Sequence, residues 1–348
     1  MKETARWGAV IVNYNSARFA LDAAMSVLGE RPDAHVVIVD NASTNDSMNV
    51  FQTAIRDRRR KEHLPANPVV DHEIRYALLS DIHAVIAEDT RGEVTKAQLT
   101  ILRAKENKGF AAGCNIGLRF LERMDCCTHY LLLNPDAVIG KGAMSAFEDR
   151  LADEHAGLCG ATILLAGQPG RVQAFGGAAL NPLTLMGRNI GQGDLLFSAP
   201  AASKVEANID YPLGASIALR RSFLHDVGYM DERYFLYYEE ADWAMAGKAV
   251  GQTVWAREAY VFHHYGVASK SVFPTENNPS QRSPLSEYHM IRSRLLFCLK
   301  WRPWLAPIVL ATGLGQCLMR LRRGRIKAAV ALARGLLPGA PPRYLYVK

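Results

Sequence analysis

A chain of 348 residues with 49% hydrophobic content can bury a full core, and it suits one large α/β domain plus an appendage better than two equal domains. The six cysteines form no CxxC pair and no zinc spacing, and Met1 is followed by charged Lys2, Glu3 and Arg6 with no long apolar run before Arg18, so the expectation is a reducing, cytoplasmic protein without a signal peptide. A formal charge of +7 would suggest nucleic acid, but twelve of the 41 Lys and Arg and none of the 34 Asp and Glu lie from Tyr288 onward, leaving -5 on the preceding 287 residues; the basic character belongs to the tail.

In chain order, Gly8 to Tyr14 (GAVIVNY) reads as a buried strand, Ala17 to Leu28 has helical spacing that ends near Gly29 and Pro32, and Val36 to Val39 is a second strand closing on Asp40-Asn41-Ala42-Ser43-Thr44. Strand, helix, strand in about forty residues is a βαβ unit with a right-handed crossover in a parallel sheet, and ligands bind beyond the carboxyl ends of such strands. Asn13, Tyr14, Asn15, Asp40 and Asn41 sit at those ends, where polar side chains can read a base and ribose. Asx residues serve equally as caps and turn formers.

The stretch from Thr53 to Lys105 is the least regular: a charge run at Arg56 to His63, punctuation by Pro65 and Pro68, and a helix or strand over Ile74 to Ala87. Leu99 to Leu102 is a third strand, followed by Asn107-Lys108-Gly109-Phe110 and a helix carrying Asn115 and Leu118. Gly109 and Gly113 would let the backbone approach a ligand at a helix start, where free N–H groups favour phosphate or hydroxyl oxygens.

The stretch Thr128 to Gly140 (THYLLLNPDAVIG) organises the rest. An apolar run over His129 to Leu133 breaks at Asn134-Pro135 and delivers Asp136. A carboxylate at the end of a buried strand is what a metal-diphosphate site needs, since Mg²⁺ and Mn²⁺ take oxygens from one or two carboxylates and from substrate phosphates; the plain alternative is an Asn-Pro-Asp turn. A helix over about Gly142 to Ala152, a strand over Leu158 to Leu165, and a Gly-, Pro- and Ala-rich region over Ala166 to Asp210 follow, the last suited to a variable loop surface.

Tyr211 to Arg221 is a further strand, entered through Gly214-Ala215, and Val227 to Trp243 (VGYMDERYFLYYEEADW) sets Glu239, Glu240 and Asp242 behind an aromatic cluster. On a helix starting here, Glu239 and Asp242 share a face and Glu240 points about 100° away. Acids at a helix N-terminus also answer the dipole. Val261 to Ser269 places His263 and His264 at the end of a short strand, where a neutral imidazole can complete an oxygen-rich shell or simply be a satisfied structural residue. In the tail, Met290 to Leu299 is helical, Trp301 and Trp304 flank Pro303, and Leu305 to Met319 is apolar apart from Thr312 and Gln316 before Arg320, Arg322, Arg323, Arg325 and Lys327. That pattern suits a segment lying in or dipping into an anionic membrane surface, or a soluble helical hairpin packed on the core. It does not suit nucleic acid, because aliphatic runs separate the basic residues.

Six of these stretches in this order, VIVNYN (Val10 to Asn15), VDNAST (Val39 to Thr44), NKGFAAGCNIGL (Asn107 to Leu118), LLLNPDAVI (Leu131 to Ile139), GASIALRR (Gly214 to Arg221) and GYMDERYFLYYEEADW (Gly228 to Trp243), resemble the inverting family 2 glycosyltransferases of GT-A fold, and most closely the rhamnosyltransferase-like branch. The resemblance covers roughly Gly8 to Ser269. It implies an α/β, Rossmann-like mixed sheet flanked by helices over residues 1–284, with a nucleotide-binding half to about 140 and an acceptor-side half beyond it; the residue pattern of the tail adds an apolar, basic, membrane-associating helical region over 285–348.

The resemblance further implies that Asp40 and the Asn107 to Asn115 loop, with Gly109, contact the nucleotide, that Asp136 stands at the family's DxD aspartate and binds Mg²⁺ or Mn²⁺, and that the second acid of the Glu-Asp motif is the catalytic base. That position is Glu240, one methylene longer than the family's usual Asp, with Glu239 and Asp242 as substitutes. The family's metal histidine lies five residues before a Ser, the spacing of His264 from Ser269 rather than of His263. Ala246 stands where the family carries an Arg, and the stretch between Ser47 and Asn107 is longer than usual. The implied partners are a dTDP- or UDP-sugar, a polyprenyl-diphosphate-linked saccharide and the cytoplasmic face of the inner membrane, with a role in cell-surface polysaccharide synthesis such as O-antigen. Two other readings are a catalytically silent sugar- or membrane-binding module and a nucleotidyltransferase; Asn13-Tyr14-Asn15-Ser16 lacks the phosphate loop the latter needs.

Overall fold

The computed structural model describes residues 5–56, 82–87, 97–168, 170–264 and 282–339. The first half runs β1 (Trp7–Asn13), α1 (Ala17–Glu30), β2 (His35–Asp40), α2 (Ser47–Arg56), β3 (Ala84–Ala87), β4 (Leu99–Arg103), α3 (Phe110–Met124), β5 (His129–Leu133), β6 (Ala137–Ile139), α4 (Ala143–Leu151) and β7 (Ala156–Leu165). The second adds β8 (Val172–Phe175), β9 (Ala178–Leu180), β10 (Gly187–Asn189), α5 (Ala202–Glu206), β11 (Ser216–Arg220), α6 (Arg221–Val227), α7 (Glu239–Ala246) and β12 (Gln252–His263). The main sheet is ordered β3-β4-β2-β1-β5-β11-β7-β12-β6, with β8 on β7.

The βαβ reading holds for β1, β2, β4 and β5, which pair in parallel. Beyond β5 the sheet is mixed, because β11 inserts antiparallel between β5 and β7. All seven residues of β1 are buried: Ala9 and Ile11 join the core that α1 and α4 cover, while Val10 and Val12 join the one under α3. Burial on both faces is why these strands read as unbroken apolar runs. Gly113 serves that packing and not a ligand, since a Cβ there would lie 2.6 Å from Val12 Cγ1.

Two expectations change. Val261 to Ser269 contributes only the end of the twelve-residue β12, and its residues past His264 lie outside the described ones. The loop region Ala166 to Asp210 holds β8, β9, β10 and α5. Of the Ile74 to Ala87 segment, only its end is described, as β3. The tail folds as α8 (Pro284–Trp301), α9 (Ala306–Arg322) and α10 (Ile326–Gly335). Ser283 caps α8 by accepting the Ser286 amide at 3.2 Å, with Pro284 in the first turn. Buried Glu287 ties the three helices together, meeting Arg320 at 2.8 Å and Arg325 at 3.8 Å.

Candidate active site

The residues expected to meet a nucleotide gather where β1, β2 and β4 end. Asn13 Nδ2 donates to Asp40 Oδ1 (2.7 Å) and to Ser43 Oγ (3.1 Å), and Ser43 Oγ donates to Asp40 Oδ1 (2.5 Å). The Asp40 carboxylate is thus fixed in direction at the carboxyl end of β2. Asn15, in the left-handed region at φ 61°, accepts the Thr44 amide at 2.9 Å and shapes the loop after Asp40; Tyr14 is 41% exposed. Asn41 Nδ2 donates to Asn107 Oδ1 (3.1 Å) and Gly109 O (2.9 Å), drawing the two loops together. Its Oδ1 is buried without a partner, an acceptor suited to a ligand N–H or O–H. Gly109 has φ +97°, and a Cβ there would lie 2.2 Å from Phe235 O, so glycine is required on two counts.

Asn115 plays a different part from the nucleotide contact expected of it. Its amide exchanges hydrogen bonds with the Met230 backbone, donating to the carbonyl at 2.8 Å and accepting the N–H at 3.1 Å, and also donates to Glu232. It holds α3 to the loop that precedes the acids.

Asp136 is 3% exposed at the turn between β5 and β6. The turn is tied on one side by the Asn134 amide donating to Ala215 O (3.1 Å) and on the other by the His264 amide donating to Asp136 O (2.8 Å). His263 Nε2 lies 3.1 Å from Asp136 Oδ1, and its Nδ1 lies 2.7 Å from Gln173 Oε1 on β8. His263 is thereby an orienting partner of the carboxylate. His264 differs: its Nε2 is buried without a hydrogen-bond partner, and burial lowers the imidazole below its ordinary value despite the nearby Asp136. A buried, unpaired, neutral imidazole nitrogen beside a carboxylate fits a divalent ion, and Asp136 with His264 is the pair that fits it. Among the described residues no three His, Cys, Asp or Glu converge, so phosphate and water oxygens would make up the shell.

The three acids separate by environment. Glu239 is 2% exposed with Oε2 unpartnered; burial, then the neighbouring Glu240, push its carboxyl well above the usual range. Asp242 is 3% exposed and accepts from Tyr234 Oη (3.1 Å), Lys300 Nζ (2.8 Å) and Trp301 Nε1 (2.7 Å). Its lone pairs are committed to holding the fold. Glu240, half-buried, accepts the Gly214 amide through Oε1 at 3.0 Å, and burial raises it to about 6. Gly214-Ala215 thus joins the acid and the turn that carries Asp136, Gly214 to Glu240 and Ala215 to Asn134.

Sequence reasoning missed Ser43, Gln173, Lys300 and the backbone role of Gly214. Ser43 lies in the VDNAST stretch and was within reach of a turn argument. Gln173 and Lys300 carry no local signal.

No protein-family model matches the chain, and no curated protein matches its sequence. Among solved structures, GalNAc-T7 with UDP, GalNAc and Mn²⁺ superposes with a TM-score of 0.56 at 11% identity over 86% of this chain, which spans about half (49%) of the GalNAc-T7 chain. S. aureus TarS 1-349 in complex with UDP-GlcNAc superposes with a TM-score of 0.51 at 14% identity, over 98% of this chain and 82% of the other. The fold is that of the GT-A glycosyltransferases, a large mixed sheet flanked by helices.

Proposed function

We propose that the chain is an inverting, metal-dependent glycosyltransferase that moves a sugar from a nucleoside-diphosphate donor, in the sharpest form rhamnose from dTDP-rhamnose, to a hydroxyl of a lipid-linked saccharide. The observation that carries the reading is the Gly214-Ala215 bridge, which ties a carboxyl poised near 6 to the turn that carries Asp136, a turn to which the His264 amide also bonds. The GT-A fold adds support, with UDP and Mn²⁺ in GalNAc-T7 and UDP-GlcNAc in TarS. The rhamnosyl assignment rests on the sequence motifs alone.

In this mechanism the Asp40 and Asn107 to Gly109 loops bind and orient the nucleotide, and Asp136 with His264 would hold Mg²⁺ or Mn²⁺, whose charge offsets that of the departing diphosphate. Glu240 takes the proton of the acceptor hydroxyl while that oxygen bonds to the anomeric carbon from the face opposite the diphosphate. The C–O bond to the diphosphate breaks and its electron pair leaves with the nucleoside diphosphate, inverting the centre. The test is a donor screen with Mg²⁺ or Mn²⁺ against dTDP-rhamnose, UDP-sugars and GDP-sugars, reading thermal shift and slow donor hydrolysis. A metal-dependent response to one donor, lost in Asp136→Ala, supports the transferase and names the sugar class; silence from folded protein toward every donor returns the reading to a non-catalytic module.

A peripheral position at the cytoplasmic face of the membrane completes the proposal. The segment Pro303–Arg322 is long and apolar enough to cross a bilayer, and only 22% of its most apolar 18-residue window is buried. Leu310, Leu314, Leu318 and Leu321 are 39 to 59% exposed at helical spacing along one stripe of α9, next to exposed Arg322, Arg323 and Lys327. An apolar stripe beside a cationic cluster matches an anionic lipid surface, where a polyprenyl-linked acceptor resides.

A further inference from the structure

Two consecutive non-glycine residues, Tyr237 (φ 70°) and Tyr238 (φ 68°), occupy the left-handed region immediately before Glu239 and Glu240. L-residues with a Cβ are disfavoured there, so the surroundings must impose the turn. One partner is Leu185, whose carbonyl accepts from Tyr238 Oη at 2.7 Å. The Phe110 amide donates to Phe235 O at 2.9 Å, and a further set of contacts comes from one helix in the tail. His289 stacks on Phe235 with ring centroids 4.4 Å apart and planes 16° apart. Ser293 Oγ donates to Leu236 O at 2.9 Å. The Phe297 ring meets Tyr238 at 5.7 Å. Lys300 Nζ and Trp301 Nε1 donate to Asp242 at 2.8 and 2.7 Å, and Lys300 also reaches Asp231 at 3.1 Å.

These contacts keep order. Positions 289, 293, 297 and 300–301 recur every three or four residues and form one face of α8, and along that face they meet Phe235, Leu236, Tyr238 and Asp242 in sequence. We propose that α8 is a positioning element of the transferase site: the stripe from His289 to Trp301 imposes the left-handed turn at Tyr237-Tyr238 and so sets the direction in which Glu240 leaves α7. The tail is then part of the catalytic framework, whatever else it attaches to. This inference rests on the reading of Glu240 as the base.

The experiment compares Ser293→Ala and Lys300→Met with their conservative counterparts Ser293→Thr and Lys300→Arg in the full chain. Two quantities are read: steady-state kinetics with the donor found by the screen, and amide hydrogen exchange across 236–242. Expected are a kcat lower by ~10- to 100-fold with the donor KM within about twofold, faster exchange confined to that segment, and recovery of both in the conservative variants. Unchanged exchange, or unchanged kcat in an active enzyme, overturns the role of α8. A wild-type protein that exchanges slowly across 236–242 but transfers no sugar and hydrolyses no donor overturns the reading of Glu240 itself, and with it this role.

Discussion

Glu240 and Gly214, 26 residues apart, meet through one hydrogen bond of 3.0 Å from the glycine amide to Oε1, which ties the carboxylate proposed to take the acceptor proton to the backbone. Glu240→Gln keeps an acceptor for the amide and removes the base. We expect kcat lower by about two to four decades with donor affinity unchanged. Burial raises Glu240 from its ordinary 4.5 to about 6. A base acts deprotonated, so kcat/KM should climb with pH and level off above about 6, a limb absent from the variant. The same shift predicts stability. The folded carboxyl holds its proton more tightly than the unfolded one, so its contribution is fully present below pH 4.5 and is lost as pH rises through about 6. Glu240→Gln should therefore melt higher than wild type at pH 7.5 and close to it at pH 4.

Gly214→Ala probes the same contact from the other side. A Cβ there would lie 2.4 Å from Glu240 Oε1 and meets nothing else so close outside that side chain. The far end of a flexible side chain can move, so the fold should survive with Tm little changed. The displaced carboxylate should cost ~10- to 100-fold in kcat. A variant with wild-type turnover would mean that the position of Glu240 does not limit the reaction.

How far the sequence foretold this site follows from what each residue touches. The strand before Asp136 is legible because β5 is buried on both faces and so reads as a bare apolar run. The start of α7 is legible because three acids fall in its first turn. Asn115 looked like a ligand residue because it is polar near a glycine-bearing helix start, yet its partner Met230 lies 115 residues away. Lys300 looked like one of many tail cations, and nothing in an amphipathic pattern tells which cation turns inward to an aspartate 58 residues back. Gln173 sat in a Gly- and Pro-rich stretch whose strand β8 is only four residues long, too short for a period to show.

The two histidines separate by metal affinity. Mn²⁺ binding in the presence of a nucleoside diphosphate, followed by the spin signal of free Mn²⁺, should weaken sharply in Asp136→Ala. His264→Ala removes the buried, unpaired Nε2, and His263→Ala removes the group that orients Asp136; the second should weaken Mn²⁺ by ~10- to 100-fold and the first by more. The reverse order would exchange the roles of the two. Chelation should abolish the nucleotide-induced rise in Tm without unfolding the protein, because the sheet and its cores do not involve the ion.

The exposed stripe on α9 makes a prediction about lipid. The full chain should partition onto vesicles containing anionic phospholipid and far less onto purely zwitterionic ones, and added salt should weaken the binding as screening shortens the reach of the cationic cluster. Arg322 and Arg323 are exposed and hold no ion pair among the described residues, so replacing both with Gln should cost about 2 kcal/mol, or ~30-fold in partition. Leu314→Glu and Leu318→Glu, at positions 58% and 59% exposed, should release the protein from the vesicles while leaving Tm and donor hydrolysis in solution unchanged, since neither side chain is part of the packing beneath α9. Transfer to an acceptor embedded in vesicles should then fall while donor hydrolysis does not. Equal partition of wild type and the Leu314→Glu, Leu318→Glu variant would assign the stripe to some surface other than a bilayer.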